Sequence, residues 1–151
     1  MIVYRIGRTK FSNDLSGEGA KLHGGRWNNI AIPCVYASES RALALLEFTV
    51  NINLHDIPRM LSITSIDIDA EVITKINIAD LPGNWADYPA PPSTKDFGSQ
   101  LLQHAEYPVF QIPSAIIRQE HNFVINPQLI SKQNCRIVHI EDFVYDVRIK
   151  Q

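Results

Sequence analysis

Residues 59–68 read Arg-Met-Leu-Ser-Ile-Thr-Ser-Ile-Asp-Ile, and apolar side chains alternate there with Ser, Thr and Asp. A period of two is typical of a β-strand with one buried face. A second segment of strand character, Glu71–Ile76, follows after the short connection Asp69-Ala70. The pattern predicts that these two segments pair, and it makes a sheet the framework of the fold.

Strands and helices are predicted on both sides of this segment. The predicted strands are Ile2–Ile6, Gly25–Trp27, Cys34–Tyr36, Val109–Ile112, Ala115–Ile117 and Phe123–Ile125, and Arg136–Ile149 closes the domain as one bent strand or a hairpin. One helix, Glu39–Asn51, is predicted to begin after an N-cap at Ser38, and another runs from a cap at Ser93 or Thr94 through Ala105. The sequence therefore predicts an α+β fold with mixed or antiparallel strands and two main helices.

Length and composition exclude several classes of protein. The chain has 151 residues, which suits one domain over residues 1–151, with 45% hydrophobic and 20% charged residues. A net charge of −2 does not favour direct nucleic-acid binding. No apolar run approaches the roughly 20 residues of a membrane span, and the first ten residues lack the layout of a signal peptide.

Cysteine and histidine usage argues against a disulfide framework or a metal centre. The two cysteines, Cys34 and Cys135, form no CxxC motif, and the five histidines show no HxH, HxxxH or HExxH spacing. The sequence therefore predicts a cytoplasmic protein without a metal site.

Glu47 is the first candidate site residue. It lies in a predicted helix among apolar residues such as Leu43, Leu46 and Phe48. A carboxylate there is either on the solvated stripe of the helix or turned towards a cleft, where burial without a partner would cost several kcal/mol. Arg26, between Gly25 and Trp27, is the predicted cationic partner.

Two arginines, a tyrosine and a serine complete the candidate set. The guanidinium fork of Arg26 suits a phosphate or carboxylate, and Arg5 on the first strand is a second cation of this kind. Tyr36 ends a strand just before the Glu47 helix, where its ring either packs in the core or stacks on a planar heterocycle. Ser114 has no nearby base motif, so it is interpreted as a hydrogen-bonding group rather than a nucleophile.

Several ordered motifs together resemble one family, the RES domain. They are His23-Gly24-Gly25-Arg26-Trp27-Asn28, Val35-Tyr36-Ala37-Ser38, Ala42-Leu43-Ala44-Leu45-Leu46-Glu47, Ile112-Pro113-Ser114-Ala115 and a segment, residues 120–127, that is similar to the family's NxxxNP ending. The resemblance extends from Tyr4-Arg5 to the last strand. The Pro-rich stretch Leu81–Pro92 corresponds to a variable region of the family.

This resemblance implies a fold similar to ADP-ribosyltransferase toxins and a toxin of a type II toxin–antitoxin pair. NAD is the implied substrate and no separate cofactor is implied. An Xre-like helix-turn-helix antitoxin is the implied partner, and the resemblance is compatible with a homodimer inside the toxin–antitoxin complex. By the resemblance, Arg5 and Arg26 match the arginines of the NAD pocket, and Tyr36, Glu47 and Ser114 match its tyrosine, glutamate and serine.

Three functions follow as hypotheses. The leading one is cleavage of the nicotinamide–ribose bond of NAD by hydrolysis or phosphorolysis, with Glu47, Arg26 and Tyr36 as catalytic residues and Arg5, Arg26, Tyr36 and Ser114 as NAD-binding residues. The second is mono-ADP-ribosylation of a cellular protein in the same pocket. The third is a nucleotide-binding module without catalysis.

Overall fold

A computed structural model describes residues 1–150 and shows one sheet of seven strands with three α-helices. The strands are β1 (Ile2–Arg8), β2 (Val35–Ser38), β3 (Leu61–Ile68), β4 (Ile73–Lys75), β5 (Val109–Pro113), β6 (His121–Ile125) and β7 (Cys135–Phe143). The helices are α1 (Glu18–His23), α2 (Arg41–Val50) and α3 (Pro92–Gln103). The prediction of an α+β fold is confirmed.

The strand order is β4-β5-β6-β2-β1-β3-β7, and every neighbouring pair is antiparallel except β4 and β5. One residue pair alone, Tyr4 with Ser38, joins β1 to β2. Five strand spacings separate β4 from β3 in this order, so in a flat sheet the two strands would lie about 24 Å apart, at about 4.8 Å per spacing. The chain from Ile68 to Ile73 can span only about 17 Å, so the sheet must curl.

The curled sheet encloses one core on its inner face. Side chains from both ends of the strand order meet there, and the buried members are Val3, Val35, Ala37, Ile66, Ile68, Val109, Phe123, Ile125 and Cys135. The outer face carries two further clusters. One lies under α2, with Ile6, Ala44 and Ile63; the other lies under α3 and the Pro-rich stretch, and it includes Trp27 and Trp85.

The sequence explains where α2 and α3 begin. The Ser40 hydroxyl accepts a hydrogen bond from the backbone N–H of Leu43 at 3.0 Å, so Ser40 is the N-cap of α2. Helix α3 begins at Pro92, a residue that suits the first helical turn because its missing N–H would have no partner there. The predicted caps at Ser38 and at Ser93 or Thr94 were wrong by two or three residues, because the N-caps are Ser40 and Pro91.

Two predicted strands and one predicted strand pairing were wrong. Residues 25–28 form a turn closed by a Gly25–Asn28 bridge, and residues 115–117 belong to a turn whose N–H groups bind the Ser114 hydroxyl. The segment after β3 does not pair with it, because Asp69 accepts a hydrogen bond from the N–H of Glu71 and starts a short 3₁₀ turn. β4 therefore begins at Ile73 and joins the opposite edge of the sheet.

Two further differences concern helix α1 and the last strand. Helix α1 was not predicted, and it follows Gly17, whose φ of +74° is a conformation that other residues rarely adopt. The closing strand ends at Phe143 rather than Ile149. Within residues 1–150 no helix has the length and apolar character that crossing a membrane requires.

Candidate functional site

Helix α2 holds Glu47 over the outer face of the sheet, where two neutral groups bind the same carboxylate oxygen. The Ser114 hydroxyl donates to Oε1 at 2.8 Å, and the Asn122 side-chain amide donates to Oε1 at 2.6 Å. Within residues 1–150 the second oxygen, Oε2, accepts no hydrogen bond from the protein. The two oxygens are therefore distinct: one is held by the protein, and the other is available to a ligand.

Ser114 is completely buried just after β5. Its hydroxyl oxygen accepts hydrogen bonds from the N–H groups of Ile116 at 3.1 Å and Ile117 at 3.2 Å, while its single proton points to Glu47. A hydroxyl has one donor hydrogen, so this arrangement makes Ser114 a support for Glu47. Its predicted contact with substrate stays a prediction.

Asn122 and Ser38 were missed as site residues by sequence reasoning. They are direct cross-strand partners on β6 and β2, and the Ser38 hydroxyl donates to Asn122 Oδ1 at 2.7 Å. The available signals were the positions of Ser38 in the motif Val35-Tyr36-Ala37-Ser38 and of Asn122 in the segment that resembles the NxxxNP ending. Ser38 was interpreted as a helix cap, a role that the structure gives to Ser40.

Tyr36 lies two residues before Ser38 on β2, so both side chains are on the same face of the sheet, with Cα atoms about 6.6 Å apart. Its hydroxyl donates to Asn28 Oδ1 at 2.6 Å and accepts from the N–H of Trp27 at 3.0 Å. Burial is the main reason why the pKa of Tyr36 is raised well above its usual value. The phenol is therefore neutral and anchors the turn that carries Arg26.

Arg26 is bound to the Pro-rich stretch rather than to Glu47. Its Nη1 donates to the carbonyls of Trp85 at 2.9 Å and Asp87 at 2.8 Å. Within residues 1–150 Nη2 and Nε of Arg26 have no hydrogen-bond partner, and Glu47 forms no ion pair. The predicted Arg26–Glu47 pair was therefore wrong, because hydroxyl and amide groups solvate the carboxylate and backbone carbonyls bind the guanidinium.

Helix α3 supports this turn by direct backbone contact. A Cβ added to Gly98 would lie 2.1 Å from the Trp27 carbonyl oxygen, so only glycine fits there. The hydroxyl of the next residue, Ser99, accepts a hydrogen bond from the N–H of Asn29 at 2.9 Å. The position of Arg26 therefore depends on how closely α3 approaches residues 27–29.

Arg5 is not brought into contact with the other candidates. Strand alternation places it on the face of β1 opposite to Tyr4, and Tyr4 is the residue that pairs with Ser38. Its guanidinium donates to the carbonyls of Asp14 at 2.8 Å and of Phe11 and Ser12 at 3.2 Å. Burial lowers the pKa of Arg5, and the nearby Asp14 carboxylate opposes this shift. The structure thus gives Arg5 a role in holding the loop after β1, and its pyrophosphate contact stays a prediction.

The site consists of two halves on one face of the sheet. We call Glu47, Ser114, Asn122 and Ser38 the carboxylate half, and Arg26, Trp27, Asn28 and Tyr36 the arginine half; β2 links them through Tyr36 and Ser38. The family model of the RES domain matches residues 2–146 of the chain.

The chain belongs to the RES family. A RES relative named Prs ADP-ribosylating toxin, from Sphingobium sp. (strain YBL2), is 36% identical over 145 residues, which cover 94% of this chain and 90% of that protein. The protein named Toxin Res from Photorhabdus laumondii subsp. laumondii is 38% identical over 129 residues, 84% of this chain and 82% of that one. The family predicted from the motifs is thereby confirmed.

A solved structure shows the same fold. The crystal structure of the Mycobacterium tuberculosis MbcT–MbcA toxin–antitoxin complex contains a chain that matches with a TM-score of 0.75 at 17% identity, covering 94% of this RES chain and 83% of that chain. At this identity the match concerns the fold alone. It supports the curled sheet and the three helices described above.

Two cavities lie elsewhere on the RES domain. One of about 310 Å³ is formed by residues 54–59 and 144–150, and another of about 370 Å³ is formed around Ile32, Leu102 and Asn126. Neither is lined by Glu47 or Arg26. The NAD pocket that the resemblance implies for the five candidates stays a prediction, while the contact between Glu47 and Ser114 is present.

Proposed function

We propose that this RES protein is a toxin that consumes NAD by cleaving its nicotinamide–ribose bond, and that it acts in the cytoplasm until an antitoxin binds it. The observation that carries the proposal is the Glu47 carboxylate: Ser114 and Asn122 hold Oε1, and among residues 1–150 no group donates a hydrogen bond to Oε2. NAD is the substrate, so no separate cofactor enters the proposal.

The chemistry requires a fixed negative charge. As the bond between nicotinamide and ribose breaks, positive charge develops on the ribose, as in glycoside cleavage. Glu47 Oε2 would stabilise that charge or orient the group that attacks the ribose. The two hydrogen bonds to Oε1 fix the carboxylate plane without neutralising it, because both donors are neutral groups.

The arginine half supplies the substrate-binding groups. Nη1 of Arg26 is occupied by the carbonyls of Trp85 and Asp87, which leaves Nη2 and Nε to bind the pyrophosphate of NAD. Tyr36 would contribute the face or edge of its ring to nicotinamide. Arg5 is the further predicted pyrophosphate ligand, and Ser114 acts mainly through Glu47.

A second activity, mono-ADP-ribosylation of a protein, is favoured by a specific observation. The relative from Sphingobium is named as an ADP-ribosylating toxin and matches 94% of this chain. The bond that breaks is the same, and the acceptor is a protein side chain instead of water or phosphate. The same Glu47 and Arg26 would therefore serve both reactions.

The antitoxin is proposed from the solved structure with the same fold, which is a toxin–antitoxin complex. We expect an Xre-like helix-turn-helix partner that covers the site. A carboxylate of that partner would bind Nη2 and Nε of Arg26, because a guanidinium with an unoccupied fork attracts anions. Addition of the partner at saturating concentration should abolish activity, and full activity of the complex would contradict this blocking mechanism.

The deciding experiment follows NAD and its products by chromatography, with purified wild type and Glu47→Gln. Wild type should consume NAD, and the variant should be slower by about 10²–10³-fold, because the amide keeps the shape of the side chain and removes its charge. Glu71→Gln, an exposed site in the turn before β4, is the matched control and should match wild type.

The products distinguish the reactions. Free ADP-ribose indicates hydrolysis, a product that forms only with phosphate indicates phosphorolysis, and labelled protein in a lysate indicates transfer. NAD that binds without being consumed or transferred indicates the non-catalytic module and contradicts the proposal. Consumption of NAD by Glu47→Gln at the wild-type rate would exclude the role of Glu47.

A further inference from the structure

We propose that Asn122 is a positioning residue for Glu47 and that Ser38 acts on Glu47 through Asn122. The inference rests on the proposed function of Glu47. It assigns roles to two residues that touch neither Arg26 nor Tyr36 and that no motif identified as functional.

The first step is the direction of the hydrogen bonds. A carboxylate only accepts, so Asn122 must present Nδ2 to Glu47 Oε1, at 2.6 Å. The amide oxygen then faces the other way, where it needs a donor. The Ser38 hydroxyl provides it at 2.7 Å. The charge of Glu47 therefore fixes the orientation of the whole Ser38–Asn122–Glu47 chain.

The second step is the rigidity of the support. Ser38 and Asn122 are cross-strand partners, and Asn122 also pairs with Ile112 on β5, so Asn122 lies on a strand that is paired on both sides. Ser38 is only 4% exposed. Helix α2 begins three residues after Ser38, with Ser40 as its N-cap. Glu47 is thus tied to β2 twice, through the chain that leads into α2 and through Asn122.

The third step separates positioning from catalysis. Both polar atoms of the Asn122 side chain already have protein partners, Glu47 and Ser38. The substrate-facing oxygen, Oε2, belongs to Glu47 alone. Asn122 therefore determines where Oε2 points, and Ser38 keeps the Asn122 amide plane in place, since hydrogen bonds in a chain strengthen one another.

The test is a double-mutant cycle on NAD consumption or transfer, with Asn122→Ala, Ser38→Ala and the double variant. We expect kcat to fall about 10–100-fold in Asn122→Ala, since small misplacements of a catalytic group have effects of this size. We expect about 3–10-fold for Ser38→Ala. NAD affinity, measured by calorimetry, should stay within about twofold of wild type, because neither residue contacts NAD.

The cycle gives the decisive result. If Ser38 acts through Asn122, Ser38→Ala has no further effect on kcat in the Asn122→Ala background. If Ser38→Ala lowers kcat in the Asn122→Ala background by the same factor as in the wild type, the two residues act independently and the coupling is overturned. A loss of NAD affinity in Asn122→Ala as large as its loss of kcat/KM would make Asn122 a substrate ligand and overturn the positioning role. Ser38→Thr retains the hydroxyl and should restore kcat.

A spectroscopic readout separates this inference from the proposed function. The side-chain NH₂ resonances of Asn122 in a ¹⁵N-labelled protein should shift in Glu47→Gln and in Ser38→Ala, and stay in place in Glu71→Gln. Unshifted resonances in the first two variants would overturn the inference. Shifted resonances in a wild type that neither consumes nor transfers NAD would support the hydrogen-bonded chain and overturn the proposed function.

Discussion

The two halves of the site are built by different means. In the carboxylate half, side chains bind side chains: Ser114 and Asn122 donate to Glu47, and Ser38 donates to Asn122. In the arginine half, the backbone dominates. Arg26 binds two carbonyls of the Pro-rich stretch, and the carbonyl of Trp27 contacts Gly98 directly.

This difference predicts how each half responds to substitution. A half made of side-chain hydrogen bonds is sensitive to the loss of a single polar atom, because a partner is then left unpaired. A half made of backbone contacts is sensitive to added volume, because backbone cannot rotate away as a side chain can. We therefore expect changes in the carboxylate half to lower kcat and changes in the arginine half to raise KM.

The largest effect on stability is expected for Gly98→Ala. The new Cβ would lie 2.1 Å from the Trp27 carbonyl oxygen, so α3 and the turn that carries Arg26 must separate. We expect a loss of about 3 kcal/mol in the free energy of unfolding, measured by urea denaturation, and a higher KM for NAD.

Gly19→Ala in α1 is the matched control, because nothing lies within 4 Å of the added Cβ. This control should be neutral or slightly stabilising, since alanine favours helix. Wild-type stability and KM in Gly98→Ala would mean that the close contact does not position Arg26.

Ser114→Ala should have the next largest effect. The change removes the donor to Glu47 Oε1 and the acceptor for the N–H groups of Ile116 and Ile117. We expect a loss of about 2 kcal/mol in unfolding free energy and a lower kcat at unchanged KM. Ser93→Ala, whose hydroxyl is exposed and binds Asn84, should leave both unchanged. A rise in KM instead would place Ser114 on the substrate, as sequence reasoning predicts.

Arg26→Lys tests the arginine half of the site. A lysine can still reach one carbonyl of the Pro-rich stretch, but it presents no second pair of donors to pyrophosphate. We expect KM for NAD to rise about tenfold, equivalent to about 1.4 kcal/mol, with a smaller change in kcat. Arg118→Lys, which removes the guanidinium from the Trp85 ring nearby, is the control. Equal kinetics in the two variants would contradict the assignment of Nη2 and Nε.

The last prediction concerns stability at alkaline pH. Burial raises the pKa of Cys34, just before β2, to about 12, and that of Cys135 to about 11. Unfolded cysteine ionises near pH 9, so above that pH the unfolded state loses a proton that the folded state keeps. Stability should therefore fall as pH rises from 9, by up to about 1.4 kcal/mol per pH unit for each such thiol.

Urea denaturation between pH 8 and 10.5 measures this slope. Cys34→Ala and Cys135→Ala should each flatten it by a similar amount, because the folded-state pKa of each thiol lies above pH 10.5. An unchanged slope in Cys34→Ala would show that this thiol is not responsible.

Local patterns predicted most of the fold. Alternation in residues 61–68 and the apolar run in residues 41–50 gave β3 and α2 to within two residues, because both signals arise from neighbours in sequence. The position of β4 could not be derived in this way. Its partner, β5, is more than thirty residues away, and the Asp69 turn that redirects the chain is a short polar feature.

The sequence predicted which residues belong to the candidate site better than it predicted the contacts between them. Motif resemblance named Glu47, Arg26, Tyr36 and Ser114, and the structure shows Glu47 bound to Ser114. The motif resemblance could not show that backbone carbonyls bind Arg26, or that Asn122 is the second donor to Glu47. Those contacts join residues that are 59 to 75 positions apart in the sequence. Hydrogen bonds of that range depend on the curl of the sheet.

The single ladder pair between Tyr4 and Ser38 is, in mechanical terms, the weakest cross-section of the sheet, with four strands on one side and three on the other. Ser38 is the β2 residue of this pair, and its hydroxyl also donates a hydrogen bond to Asn122. Any load or thermal motion that opens this pair therefore disturbs the Glu47 support while each group of strands stays intact. On heating, turnover should cease at a lower temperature than the one at which the circular dichroism of the strands disappears.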